Sequence, residues 1–261
     1  MGILDFRRNI SVALSGGGAR GWAHIGVIKA LKKLNYKITA ISGTSAGAIV
    51  ASYEAFGMLD SLEEYILNSD KKKVFSFFDF NFIPKYGLIN GKKVTDMFNE
   101  KLNGKLLENS NIPLYICATN LQSGKCTIFK RGLVVDAVRA SISIPGIFTP
   151  VEINGRYYVD GGLANPLPVN ALTKNGHKRV IAVDVNVPLQ APVYKEMPNV
   201  LTVINRSIGI MTYYVDKYNL KKYKPWKILT PNLKDFGTFE FHRGKELIDI
   251  GYEYAMNFFK G

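Results

Sequence analysis

Short apolar runs and helical repeats of apolar residues alternate from the start of the chain. Ile10 to Ser15 is a run that stops at Gly16-Gly17-Gly18, and Ile25, Ile28, Leu31 and Leu34 then recur on one face of a helix over Trp22 to Leu34. Ile38 to Ser42 is a second run, broken by Gly43-Thr44-Ser45-Ala46-Gly47, after which small residues continue as a helix through Tyr53. Strand, glycine turn and helix thus occur twice in succession, the pattern of parallel βα units.

The middle of the chain is less regular. Leu62 to Leu67 and Val94 to Leu102 read as helices, Leu114 to Ala118 and Cys126 to Phe129 as strands, and Val134 to Arg139 as a short helix. Glu152 to Asp160 has the form of a hairpin turning at Asn154-Gly155. Pro166 to Asn175 reads as a helix with prolines in its first turn, and Val180 to Val185 as a buried strand. A helix near Val200 to Lys222, a strand near Trp226 to Leu229 and a terminal helix from Gly244 complete the pattern. The expected fold is a single α/β domain over residues 1–261, with helices on both sides of a mainly parallel sheet.

Composition narrows the class. With 47% hydrophobic and 21% charged residues, the chain of 261 residues has globular usage and is not of the disordered type. No apolar run reaches the roughly 18 residues of a spanning helix, and the N-terminus lacks an apolar signal segment, so a cytoplasmic protein is expected. Two cysteines, Cys117 and Cys126, and three scattered histidines do not make a metal site, and no cofactor is expected. The formal net charge of +13 favours anionic surfaces: nucleic acid, phospholipid head groups, or merely solvent around a lysine-rich exterior.

Two glycine motifs bear on chemistry. Gly43-Thr44-Ser45-Ala46-Gly47 fits G-x-S-x-G between a strand and a helix, where a sharp turn exposes the Ser45 hydroxyl at the carboxyl end of a sheet. The bland alternative is a small-residue helix start that permits close packing. Gly16-Gly17-Gly18-Ala19-Arg20-Gly21 fits the dinucleotide fingerprint, but that reading needs an acid about twenty residues on. No Asp or Glu occurs from Phe6 through Tyr53, and Trp22 stands where a P-loop needs Lys. What remains is an anion-binding loop, suited to an oxyanion hole beside Ser45, with Arg20 steadying a phosphate or the loop.

A serine nucleophile needs a base. His24 on the first helix reads as a packing or capping residue, and His177 precedes a strand, at the wrong end of a parallel sheet. A Ser45–Asp160–His242 order is formally open. Asp160, ending the strand Tyr157-Tyr158-Val159 before Gly161-Gly162, is the better candidate, although Asp-Gly is equally a turn signal.

Taken together, Gly-Gly-Gly-x-Arg-Gly, Gly-Thr-Ser-Ala-Gly, Ala140-Ser-Ile-Ser-Ile-Pro-Gly-Ile-Phe-Thr-Pro150 and Asp160-Gly-Gly-Leu-Ala-Asn-Pro-Leu-Pro168, in this order, resemble the patatin-like phospholipases of compact bacterial type. The match runs from about Ile10 to Val185; residues 186–261 match no motif. The resemblance implies a three-layer α/β/α fold and a metal-free serine–aspartate dyad of Ser45 and Asp160. It implies an oxyanion loop of Gly16, Gly17, Gly18 and Arg20, with Gly43, Gly47, Gly161 and Gly162 as motif support. The implied activity is hydrolysis of phospholipid or other acyl esters through an acyl-enzyme, with no nucleic-acid partner. An acyltransferase on the same serine and a non-catalytic basic membrane-binding module are the alternatives. In Lys71 to Leu88 three lysines precede Phe75, Phe77, Phe78, Phe80 and Phe82; two readings stand open, aromatics that cap the core, or an amphipathic segment that brings peripheral contact with an anionic membrane.

Overall fold

The structure is a computed structural model that describes residues 8–72, 87–186 and 196–260. Strands β1 (Asn9–Leu14), β2 (Lys37–Thr44), β3 (Leu114–Asn120), β4 (Cys126–Phe129), β5 (Val151–Ile153), β6 (Arg156–Asp160), β7 (Val180–Val183) and β8 (Lys227–Leu229) form one sheet. Its order is β5-β6-β3-β2-β1-β7-β8, with β4 also paired to β3. Strands β3, β2, β1, β7 and β8 are parallel; β4, β5 and β6 add antiparallel pairs at one side.

The central strands alternate because both their faces are covered. Ile10, Val12 and Leu14 of β1, Leu114 and Ile116 of β3, and Ile181 and Val183 of β7 point into the larger core. Their neighbours Ala13, Tyr115, Cys117, Val180 and Ala182 point into a second core on the other side. The larger core is shared with helices α1 (Ala23–Lys33), α2 (Ala46–Ala55), α3 (Leu59–Leu67), α4 (Lys92–Leu102), α5 (Val134–Ser141) and, at the far end of the chain, α8 (Gly244–Lys260). The second is closed by α6 (Val169–Thr173), with Leu220 and Tyr223 of α7 (Val200–Tyr223) packed against it. This is the expected α/β architecture of a sheet between helical layers.

Helices α1 and α8 cross at glycine. A side chain on Gly26 would collide with the Ile248 carbonyl, and one on Gly251 with the Ala23 carbonyl, so the two backbones meet directly. The hairpin between β5 and β6 turns at Asn154 (φ 52°) and Gly155 (φ 72°), the left-handed pair that the Asn-Gly signal predicts.

One expected element is shorter than its pattern. The helix read from Pro166 begins only at Val169, because a residue preceding proline is pushed out of the helical region. The carbonyls ahead of it have other partners: Pro166 accepts the Gly16 N–H at 3.0 Å and Pro168 accepts the Ser42 hydroxyl at 3.0 Å.

Candidate active site

Strand register brings Ser45 and Asp160 together. Strand β2 pairs with β3 up to Thr44 opposite Cys117, and β6 pairs with β3 from Asp160 opposite Ala118. Strand β4 occupies the other edge of β3 from Ile116 to Thr119, so β2 and β6 share one edge and meet end to end. The residue after Thr44 and the last residue of β6 are therefore neighbours although far apart in sequence. Gly161 makes the junction fit: a side chain there would strike the Cys117 carbonyl and stand 2.9 Å from Thr44 Cγ2.

Ser45 occupies a strained turn, with φ 54° and ψ −123°, a conformation costly to any residue with a Cβ. The flanking glycines are required by packing. A side chain on Gly43 would collide with the Gly47 carbonyl, and one on Gly47 would sit 2.5 Å from the Leu14 and Ser15 carbonyl oxygens. The Ser45 N–H donates to Ser141 Oγ at 2.8 Å, whose own hydroxyl donates to the Cys117 carbonyl at 2.6 Å. Two residues on, the Ser143 carbonyl accepts the Asp160 N–H at 2.8 Å. The Ala140-Ser-Ile-Ser segment thus braces both residues, which gives that motif its physical role.

Asp160 is buried, and its carboxyl is pushed up to about 6 by loss of water; hydrogen bonds from the Ser45 side chain and the Gly162 N–H oppose the rise without cancelling it. The Gly162 N–H donates to Asp160 Oδ1 at 2.7 Å, which fixes the carboxylate beside the serine.

The glycine loop follows β1 directly. Gly16 approaches so closely that a side chain on it would lie 3.3 Å from Ser45 Cβ. Its N–H, however, is committed to the Pro166 carbonyl, and that of Ala19 donates to the Thr238 carbonyl at 2.8 Å. Of the three glycines of the loop, Gly17 and Gly18 have N–H groups without a protein acceptor among the described residues. Arg20 Nε donates to the Gly17 carbonyl at 3.3 Å, and Asp184 faces its guanidinium, so Arg20 braces the loop. From below, His24 Nε2 meets the Ser15 carbonyl at 2.9 Å; complete burial lowers its pKa to about 4, so the ring is neutral and Nε2 is the donor.

Two cavities meet at Ser45. One, of about 510 Å³, is lined by the glycine loop, Asp160, Asp184, Asn186, Asp216 and Asn232 among others. The second, of about 130 Å³, is apolar, with Trp22, Ile49, Leu62, Ile66, Phe98 and Phe148 in its wall. Gly18, Ser45 and Ile144 border both. The larger cavity holds an acid pair that sequence reasoning missed. Burial raises both Asp184 and Asp216, and Asp184 pushes Asp216 further. Asp184 had a legible signal, a carboxylate directly after the apolar strand β7; Asp216, in the middle of α7, had none.

The histidines lie elsewhere. His177 Nε2 meets the Tyr115 hydroxyl at 2.9 Å, away from the carboxyl ends of the strands. His242 lies in the turn Phe241–Arg243 and lines neither cavity. Cys117 and Cys126 are free thiols on the paired strands β3 and β4, both contacted by the Asn165 amide. Among the described residues no cluster of three or more His, Cys, Asp or Glu could hold a metal ion. Of the expected membrane segment, Lys71 and Lys72 are exposed and Leu88 packs beside Ile89 and Phe148, but residues 73–86 lie outside the described residues. Among the described residues no helix is long and apolar enough to cross a membrane.

Similarity to known proteins identifies the family. Residues 12–173 match the family model described as patatin-like phospholipase. An uncharacterised NTE family protein of Mycobacterium bovis is 36% identical over 191 residues, which is 73% of this chain and 53% of that protein. The lysophospholipase NTE1 of Candida albicans is 26% identical over 278 residues, 96% of this chain but 20% of that protein. The chain therefore spans about half the length, or less, of these relatives. The crystal structure of VipD from Legionella pneumophila shares the fold, with a TM-score of 0.53 at 14% identity, covering 97% of this chain and 66% of that one. Because the family model covers most of the chain, from β1 through α6, the chain belongs to the patatin-like phospholipase family.

Proposed function

We propose that this chain hydrolyses acyl esters of lipids, with Ser45 as nucleophile and Asp160 as its general base. One observation carries the reading: Ser45 stands beside a buried carboxylate and borders both a larger cavity with polar groups in its wall and a smaller, apolar one. An ester with one apolar and one polar arm fits that junction, the acyl chain in the apolar cavity and the alcohol portion in the larger one beside Asp184, Asn186 and Asn232. The Candida albicans relative's name, lysophospholipase, supports a lipid ester as substrate.

The chemistry follows from the geometry. Asp160 takes the Ser45 proton as Oγ bonds to the ester carbonyl carbon, and the carbonyl oxygen becomes an oxyanion. The N–H groups of Gly17 and Gly18 stabilise it, with the helix starting at Ala46 adding its positive end. Asp160 then returns the proton to the departing alkoxide as the carbon–oxygen bond breaks, leaving an acyl-serine. Water, deprotonated by Asp160, attacks this ester and releases the fatty acid with Ser45 restored. A carboxylate raised to about 6 is a stronger base than a solvated one, and it is ionised at neutral pH.

The test is a panel of phospho-, lysophospho- and neutral lipids with wild type, Ser45→Ala and Asp160→Asn. Fatty acid release by wild type alone supports the reading. Transfer of the acyl group to an added alcohol in preference to water would make the protein an acyltransferase, and release by Ser45→Ala would refute the nucleophile.

A further inference from the structure

Helix α7 presents two faces of opposite character. Its inner face lines the larger cavity through Ile208, Gly209, Thr212 and Asp216, and Thr212 Oγ1 approaches the Gly162 carbonyl at 3.5 Å. At 100° per residue, Val200, Val203, Ile210, Met211, Tyr214 and Tyr218 fall on the opposite side as one stripe. All six are exposed, Val200 at 73% and Tyr214 and Tyr218 at 63% each. Helices normally turn such residues inward; here they face out along a rod of about 36 Å.

The charge on that side has a single sign. Asp216 is the only carboxylate in the helix, and it is buried on the inner face. Lys217, Lys221 and Lys222 are exposed and, among the described residues, take part in no ion pair. Two of the three ammonium groups lie over tyrosine rings of the same helix: Lys217 over Tyr213 at 6.0 Å and Lys222 over Tyr218 at 5.5 Å.

We propose that the outer face of α7 docks on the surface of an anionic lipid bilayer and thereby turns the catalytic cavity toward the membrane. Aliphatic residues, tyrosines and lysines without carboxylates suit the head-group boundary: apolar groups enter, tyrosine rings sit at the interface and lysines reach the phosphates. A second copy of the chain fits less well, because a two-fold contact would set these lysines against their own duplicates in a protein of net charge +13. The choice of a lipid surface rests on the hydrolase reading, but docking itself needs no turnover.

Vesicle co-sedimentation with Ser45→Ala protein tests it without catalysis. Wild-type docking is expected on phosphatidylglycerol-containing vesicles, weaker on pure phosphatidylcholine, and reduced by salt. Lys217→Glu/Lys221→Glu/Lys222→Glu should weaken binding to anionic vesicles about a hundredfold, since each basic residue at such a surface contributes roughly a factor of five. Met211→Glu/Tyr214→Glu should weaken it on both vesicle types. Neither set lines the cavities, so cleavage of a short soluble ester by the corresponding Ser45 enzyme should be unchanged. A matched reversal on another surface, Lys93→Glu/Lys101→Glu/Lys125→Glu, controls for net charge. Equal loss in that control, unaltered binding in the α7 variants, or concentration-dependent dimers abolished by Tyr214→Glu would overturn the proposal. Absence of fluorophosphonate labelling alongside normal docking would instead refute the catalytic reading and leave the docking face standing.

Discussion

Helix α1 packs in the larger core and the end of α7 against the smaller one, yet the two helices solve opposite problems. In α1 every residue from Ala23 to Ile28 is buried, and Gly26 lets the α8 backbone into direct contact. In α7 Asp216 is the only buried side chain among those described, and a stripe of apolar residues, Val200, Val203, Ile210, Met211, Tyr214 and Tyr218, faces outward. The first helix fixes the glycine loop through His24 and the packing beneath it; the second walls the cavity and leaves a surface free for a partner. The comparison separates burial from access: the glycine loop rests on a fully buried helix turn, and the cavity wall formed by α7 is half-exposed.

The sharpest way to break the comparison is steric. Gly26→Leu should cost about 3 kcal/mol or more, because the inserted side chain meets backbone that cannot yield. Urea unfolding measures it, and a loss within about 0.5 kcal/mol, the size expected at an exposed site, would show that the crossing is not tight.

Two buried groups give opposite pH dependences of stability. The Asp160 carboxyl is raised from 3.8 to about 6, so its ionisation opposes folding: stability is full below pH 3.8 and falls as pH rises through 6, by about 3 kcal/mol. Asp160→Asn should therefore be more stable than wild type at pH 8 by up to that amount, with no gain below pH 3.8, while turnover is lost. His24, lowered from 6.5 to about 4, behaves inversely: stability is full above pH 6.5 and declines by about 3 kcal/mol as pH falls to 4. In the Asp160→Asn protein the two no longer offset, so its acid destabilisation between pH 6.5 and 4 should be steeper than in wild type. Thermal melts across this range check both signs.

A smaller effect is expected in the apolar cavity. Ile49→Trp should fill part of the roughly 130 Å³ space and lower kcat/KM for long-chain esters about tenfold relative to butyrate esters. Equal loss for both would mean the acyl chain lies elsewhere. The smallest effect belongs to α7: Val203→Ser, at an exposed site, should change stability by less than about 0.5 kcal/mol.

Most of the architecture was legible because period and punctuation agreed. The runs at β1 and β2 end at glycines, the Asn154-Gly155 turn is left-handed as its residues demand, and α8 begins at Gly244 as the pattern indicates. What was illegible depends on contacts distant in sequence. That β2 and β6 share one edge of β3 is a matter of register, and no local pattern reveals it. The commitment of the Gly16 N–H to Pro166 depends likewise on a segment remote from the loop. Helix α7 was visible as a helix, but its apolar residues look the same in sequence whether they face a core or a solvent boundary.

The most direct measurement is intact-mass analysis after a fluorophosphonate probe, run on wild type, Ser45→Ala and Asp160→Asn between pH 5 and 8. Wild type should gain one adduct, mapped to Ser45, at a rate that rises with pH through about 6, the value to which burial raises Asp160. Ser45→Ala should gain none, and folded Asp160→Asn should react far more slowly with no inflection near that pH. Labelling of Asp160→Asn at the wild-type rate, or an adduct on another residue, would contradict the serine–aspartate pairing.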